Sequence, residues 1–289
     1  NETSRGLLNS SDVSFSLGRL AEARALAAEG LDQAEAAKDE ELKIYSLTYR
    51  AYAAHTLGDI AAARAGFAAA TKLEGGPLYS LRGAQHARHH LDLGDLAAGG
   101  ALADLGLATA RRNNMSFDVP RQLAMLARID LAEGRDPAPH LDEIRAWTAR
   151  TGDMAWIIEA HLLAAQHLLA RGDTQAALGE AETGLLHTAA CGYGLLRIEL
   201  LVALARIRLA WPDAPKAIQA AREALDLAAH ADCGYAWGEA EAAQVWGEAY
   251  FANHELELAR RAFTRALEVR RRIEHPGTAE TERWLARTV

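Results

Sequence analysis

Cysteine is almost missing from this chain: Cys191 and Cys233 are the only two in 289 residues. So few cannot build a disulfide framework, and no CxxC pair or Cys/His cluster with zinc spacing goes with them. Long apolar runs are missing as well. No segment approaches about eighteen uninterrupted apolar residues, and the opening NETSRGLLNSSDVSF has neither the basic nor the apolar stretch of a signal peptide. The chain is therefore expected to be cytoplasmic and not to span a membrane. Positive charge is in deficit, with a net charge of −8 and an isoelectric point near 5.8, which removes the broad basic face that nucleic acid requires. Also absent are the GxxxxGK[ST] phosphate loop, the GxGxxG fingerprint and the GxSxG elbow. These absences predict no catalytic residues, no cofactor and no enzyme within these residues.

What is present is material for a core. Half of the residues are hydrophobic and 24% are charged, too apolar and too evenly mixed for a disordered chain. The length suits two ordinary domains or one extended one. The chain begins at Asn1 without methionine and enters a helical pattern within a few residues, which predicts a fragment of a longer protein.

A short cassette recurs along the chain: an apolar residue, glycine or a substitute, a polar residue, then alanine and further small or aromatic residues at helical spacing. It reads LGRLAEARALAAEG from Leu17, LGDIAAARAGFAAA from Leu57, LGDLAAGGALADLG from Leu93 and RGDTQAALGEAETG from Arg171. EGRDPAPHLDEIRAW from Glu133 is an irregular copy, and its prolines predict a shortened or bent helix. Two copies lack the glycine, WPDAPKAIQAAREAL from Trp211 and NHELELARRAFTRAL from Asn253. From Gly18 through Gly58, Gly94, Gly134, Gly172, Pro212 and His254 the intervals are 36 to 42 residues. An apolar-periodic run of helix type precedes each copy. Each unit is therefore helix, tight turn, helix: glycine supplies the left-handed backbone that ends the first helix, and aspartate caps the second.

On these residues the chain resembles the tetratricopeptide repeat family. Ala63, Phe67 and Ala70, and again Ala259, Phe263 and Ala266, match the small, aromatic, small signature of that motif's second helix, while Gly247 and Tyr250 match its first. The resemblance implies an all-α, right-handed α-solenoid of about seven helix-turn-helix units plus a C-terminal capping helix, forming a single domain over residues 1–289. Units longer than the standard repeat and the two lost glycines are departures from the pattern.

Within that frame the doubled CGY, at Cys191 and Cys233, falls where one unit's second helix hands over to the next unit. Gly192 and Gly234 suit a left-handed helix end there, as do Gly152 and Asn114 in earlier units. The cysteines then mark a seam and carry no chemistry. QHARHHLDLGD places His86 and His90 four apart on one helical face beside His89, a spacing that can hold a metal ion. No HExxH glutamate accompanies them, and His90 occupies a position that packs between helices, so no metal site is predicted. The basic run RRAFTRALEVRRR from Arg260 reads as a solvated capping face.

In tetratricopeptide proteins the first helices line a concave groove, so the resemblance implies groove positions here. They are Tyr45, Thr48, Tyr49, Tyr52 and His55, then Gln85 and Arg88, then Arg121, Met125 and Arg128. Further on they are Glu159 and Gln166, Glu199 and Arg206, and finally Glu241, Gln244 and Glu248. The wall runs from aromatic to basic to acidic. Glu159, Glu199 and Glu241 recur at one offset, which serves either binding or the helix start. The implied function is a protein-interaction and ligand-sensing module that takes a protein or peptide partner. The CGY seams and the ending RRRIEHPGTAETERWLA are similar to the C-terminal repeats of bacterial STAND-type signalling ATPases, which makes an upstream ATPase domain of the same protein one candidate partner. A free-standing adaptor and the inducer-sensing region of a large transcriptional activator are the alternatives.

Overall fold

A computed structural model describes residues 2–288. Among them are fifteen helices and no strand: α1 Glu2–Ser16, α2 Leu20–Ala37, α3 Glu40–Thr56, α4 Ile60–Glu74, α5 Ser80–Asp92, α6 Leu96–Arg112, α7 Val119–Ala132, α8 Ala138–Thr151, α9 Met154–Ala170, α10 Thr174–Cys191, α11 Gly194–Ala210, α12 Ala214–Ala228, α13 Ala236–Ala252, α14 Leu256–Arg272 and α15 Thr278–Ala286. Odd and even helices alternate as first and second members of seven hairpins, and α15 follows.

The turns form for the reasons the cassette suggests. Gly18, Gly58, Gly94, Gly134 and Gly172 all sit at φ of 70° to 86°, the left-handed region that costs a residue without Cβ least. The aspartate one residue later closes the next helix. Asp59, Asp95, Asp173 and Asp213 accept the backbone N–H of Ala62, Ala98, Ala176 and Lys216 at 3.0 to 3.3 Å. Where glycine is lost, the two turns differ. His254 takes φ of 61°, whereas proline cannot, and α11 instead ends at Trp211 with φ of −101°. The seams between hairpins repeat the device, with Lys38, Gly75, Asn114, Gly152, Gly192, Gly234 and Glu274 at φ of 55° to 77°. The proline-containing copy gives α8, at 14 residues the shortest of the second helices.

The small-aromatic-small signature is the core. Ala63, Phe67 and Ala70 are at most 1% exposed, and Ala259, Phe263 and Ala266 are fully buried. A Cβ on Gly247 would lie 2.6 Å from the Phe263 ring, and one on Gly66 would lie 2.7 Å from the Ala51 Cβ. Glycine at these points is what lets the paired helices close.

The described chain gathers into two compact units that divide within α8, between Glu143 and Ile144. A single domain over residues 1–289 remains our proposal. In the first unit α1, α3, α5 and α7 touch in succession, and in the second α9, α11 and α13 do, whereas consecutive second helices make no comparable contact among the described residues. Within each unit the first helices therefore follow the shorter, inner path.

Candidate functional site

In the first unit the inner path is aromatic at its start. Tyr45 and Tyr49 lie half-buried against Leu8, Ala34 and Leu42, and Tyr52 packs on the Ile44–Leu47–Phe67 cluster with Phe15 stacked on its ring at 4.9 Å. The Arg82 guanidinium lies over the Tyr45 and Tyr79 rings, at 4.3 and 4.9 Å, and pairs with Glu74 at 2.5 Å. Burial pushes the Tyr49 hydroxyl well above its ordinary pKa, and Asp12 adds to this while Arg121 opposes it. The Asp12 carboxyl reaches solvent, yet the chain around it displaces enough water to raise its pKa too, against the pull of Arg121. Arg121 Nε stands 3.7 Å from Asp118.

Deeper in the same unit, polar groups close on one another. Ser80 starts α5 at φ of 59°, a costly conformation for serine. Its hydroxyl donates to Asp118 at 2.7 Å, and its carbonyl accepts Gln122 Nε2 at 2.8 Å. Arg88 Nε donates to both Asp92 oxygens, at 2.8 and 2.9 Å. His55 Nε2 lies 3.0 Å from Asp92, and His55 Nδ1 lies 3.1 Å from His89 Nδ1. The carboxylate can only accept, so His55 donates to it through Nε2. Burial works to raise Asp92, but Arg88 and the His55 hydrogen bond outweigh it and hold the carboxyl below its usual range. Gln85 is 7% exposed, and its Oε1 has no hydrogen-bond partner among the described residues.

The histidines behave as packing rings. His86 lies flat on Phe67, with centroids 4.6 Å apart and an interplanar angle of 8°. Burial lowers His86 to about 4 and His89 to about 3, with neighbouring histidines adding to both. The expectation for His90 needs correcting. His89 is the ring buried between helices, while His90 is half-exposed beside Asp95 at 3.2 Å. Among the described residues no group of three or more candidate ligands could hold a metal ion.

In the second unit the inner path is charged. Glu159 is buried and Gln166 half-buried. Glu199 accepts the Tyr235 hydroxyl at 2.9 Å. Glu241 binds both Arg206 and Arg270, the latter at 2.5 Å, and His275 Nε2 stands 3.3 Å away. Burial acts to raise the Glu241 carboxyl, yet the two guanidiniums overcome it and hold it far below the carboxylate range. Gln244, 1% exposed, donates to Glu248 at 2.7 Å and accepts from Thr281 at 2.8 Å. These side chains border a cavity of about 400 Å³ lined by Arg206, Leu209, Glu241, Gln244, Glu248, Arg270, His275 and Glu280.

Four expected groove residues thus meet at one cavity, and Tyr45 and Tyr49 share one apolar cluster. Of the other positions, Thr48, His55, Gln85, Met125 and Glu159 are buried, while Arg88, Arg121, Arg128 and Gln166 are half-buried. The reading of the basic run as a solvated face fails at Arg270. That side chain is 2% exposed and donates to Gly277 O, Thr281 Oγ1 and Glu241. Asp12, Ser80, Arg82, Asp118, Arg270, His275 and Glu280 are participants that the sequence does not mark. Only the hairpin register, which sets α14 and the segment after it against α13, could have pointed to the last three.

Solved structures with this architecture exist. A STAND protein with a tetratricopeptide repeat sensor from Pyrococcus horikoshii superposes with a TM-score of 0.60 at 12% identity, over 92% of this chain and 43% of that one. The chain therefore spans less than half the length of that protein. A tetratricopeptide repeat protein from Parabacteroides merdae superposes with a TM-score of 0.52 at 13% identity, over 100% of this chain and 99% of that one. This is the tetratricopeptide-repeat fold. Neither a protein-family model nor a curated protein sequence matches the chain. No helix among the described residues is long and apolar enough to cross a membrane. The CGY seams fit the repeat: Cys191 is exposed, Cys233 is buried, and both are free thiols.

Proposed function

We propose that this chain is a protein-interaction and ligand-sensing module, with no catalytic role of its own, that binds a protein or peptide along the inner faces of its first helices. The meeting of Arg206, Glu241, Gln244 and Glu248 at one solvent-reaching cavity carries this reading. A stack held together by its alanine and phenylalanine core has no need of such a cluster for stability, because buried ion pairs are weak stabilisers. We further propose the cytoplasmic sensor region of a multidomain bacterial signalling ATPase, on the likeness to the Pyrococcus horikoshii protein. In such a sensor a trigger acts only through its differential affinity for two arrangements of the parent protein. The near-complete mutual coverage with the Parabacteroides merdae protein favours an adaptor as the second reading.

A photo-crosslinking residue placed at Arg128 or Arg206 in the full gene product is expected to trap one discrete partner, or a separate domain of the same protein. The same residue at Arg222 or Arg261, 70% and 72% exposed on second helices, is expected to trap none. Equal trapping from both faces would overturn the proposal. ATP hydrolysis by the full product that changes when the trapped partner is added separates sensor from adaptor.

A further inference from the structure

We infer that the cavity between α11, α13 and α14 receives the guanidinium of an arginine presented by the partner protein. The inference rests on the interaction reading above and specifies one position of it.

The charges around the cavity are unevenly shared. Three glutamates, Glu241, Glu248 and Glu280, face Arg206, Arg270 and the His275 ring. All three basic side chains stand against the same glutamate, Glu241, and Arg270 Nη1 is engaged by Gly277 O at 2.9 Å and Thr281 Oγ1 at 2.8 Å. The nearest cation to Glu280 is that same Nη1, 3.8 Å away, and Glu280 remains 52% exposed. Glu248 has no cation within ion-pair distance among the described residues, and its one hydrogen-bond partner, Gln244 Nε2 at 2.7 Å, is neutral. One carboxylate therefore stands without a direct ion pair in a half-buried setting, where it is costly. Its pKa responds accordingly, raised by burial first and by Glu280 and Glu241 in addition, against Gln244 and Arg206.

The carboxylate is also held ready. The Gln244 amide is fixed at both ends, donating to Glu248 and accepting from Thr281, so the Glu248 group is oriented before any ligand arrives, which lowers the cost of binding. A guanidinium suits the seat better than an ammonium. It carries five donors in one plane, enough to serve Glu248 and Glu280 together, and sheds water more easily. The volume of about 400 Å³ and the Leu209 side chain accommodate the aliphatic stem.

The test uses the intact chain and side-chain NMR of Gln244 and Arg206. Nα-acetyl-arginine methylamide is titrated in parallel with its neutral isostere, Nα-acetyl-citrulline methylamide. We expect saturable shifts at Gln244 with the arginine probe and binding at least tenfold weaker for citrulline. Glu248→Gln, which keeps shape and removes charge, should weaken the arginine probe at least tenfold, while Glu268→Gln on the exposed face of α14 should leave it unchanged. Equal binding of the two probes, no saturable shift at Gln244, or an unaffected Glu248→Gln protein would overturn the inference. The probe comparison needs no variant to fold. Crosslinking from Arg206 combined with a cavity indifferent to arginine would sink this inference alone and leave the interaction reading standing.

Discussion

In the first unit His89 is buried as a ring beside Phe67, with His86 stacked on the Phe67 face and the buried His55 edge-on to His89. In the second, Arg270 is buried as a charge against Glu241. Both arrangements tie a first helix to its neighbours, but they respond to opposite changes. His86 and His89 are held in their neutral form, because burial penalises the imidazolium. The arginine–glutamate cluster is held in its ionised form, because each partner's charge offsets the other's desolvation. The difference shows that one fold can order its inner faces by aromatic packing or by ion pairing, and that acid or the loss of one side chain reaches the two halves unequally.

The largest effect should come from removing the anion. Glu241→Ala leaves Arg270 buried without its close counter-ion, Glu280 standing 3.8 Å away, and urea unfolding should report a loss of about 3–5 kcal/mol. Adding Arg270→Met to that variant should recover most of the loss. A Glu241→Ala protein as stable as the parent would remove the ionic half of the comparison.

Acid should then separate the units. A histidine whose folded pKa is depressed binds fewer protons folded than unfolded, so stability is lost as pH falls below the ordinary value of 6.5 toward about 4 for His86 and about 3 for His89. Between pH 6.5 and 5 this costs roughly 2 kcal/mol per histidine. Asp12, raised in the same unit, gives back part of it. Glu241 has the opposite sign: its stabilisation is present above the ordinary carboxylate value of 4.5 and fades only as pH falls below it. Hydrogen exchange at pH 5 should therefore show α3 to α5 opening before α11 to α14. His86→Leu should remove about half of the acid sensitivity, and simultaneous opening of both regions would break the comparison.

The turns give a smaller contrast. Gly58 in the first unit occupies a left-handed turn that glycine tolerates, whereas His254 in the second occupies the same kind of turn at φ of 61°. Gly58→Ala should cost about 1 kcal/mol and His254→Gly should gain up to about 1 kcal/mol, both read from thermal unfolding. The smallest effect belongs to the seam. Cys191 is exposed at the end of α10, so Cys191→Ser should change stability by less than about 0.5 kcal/mol. A larger change would return chemistry to the doubled CGY.

Much of the fold is legible in the chain because its determinants are local. A glycine at a left-handed turn, an aspartate whose carboxyl reaches the N–H three residues on, and alanine–phenylalanine–alanine at helical spacing each act within about two helical turns. The inner face is legible only in part. Family offset marks Arg206, Glu241, Gln244 and Glu248, and these converge. Arg270 carries no local mark, because its burial depends on Glu241, Thr281 and Gly277, all outside its own arginine-rich run. The choice of His89 over His90 turns on one residue of helix phase, about 100° around the axis, finer than the repeat spacing can resolve.

The hydrogen bonds that join neighbouring hairpins have a consequence for how the chain is made. Those of His55 with His89 and of Gln122 with Ser80 bridge 34 and 42 residues, about one repeat. Such short-range wiring means low contact order, and low contact order means fast folding with few long loops to close. Each hairpin emerging from a ribosome therefore meets its partner within seconds at ordinary elongation rates, and the apolar stripe of a first helix is exposed only until the next repeat follows it out.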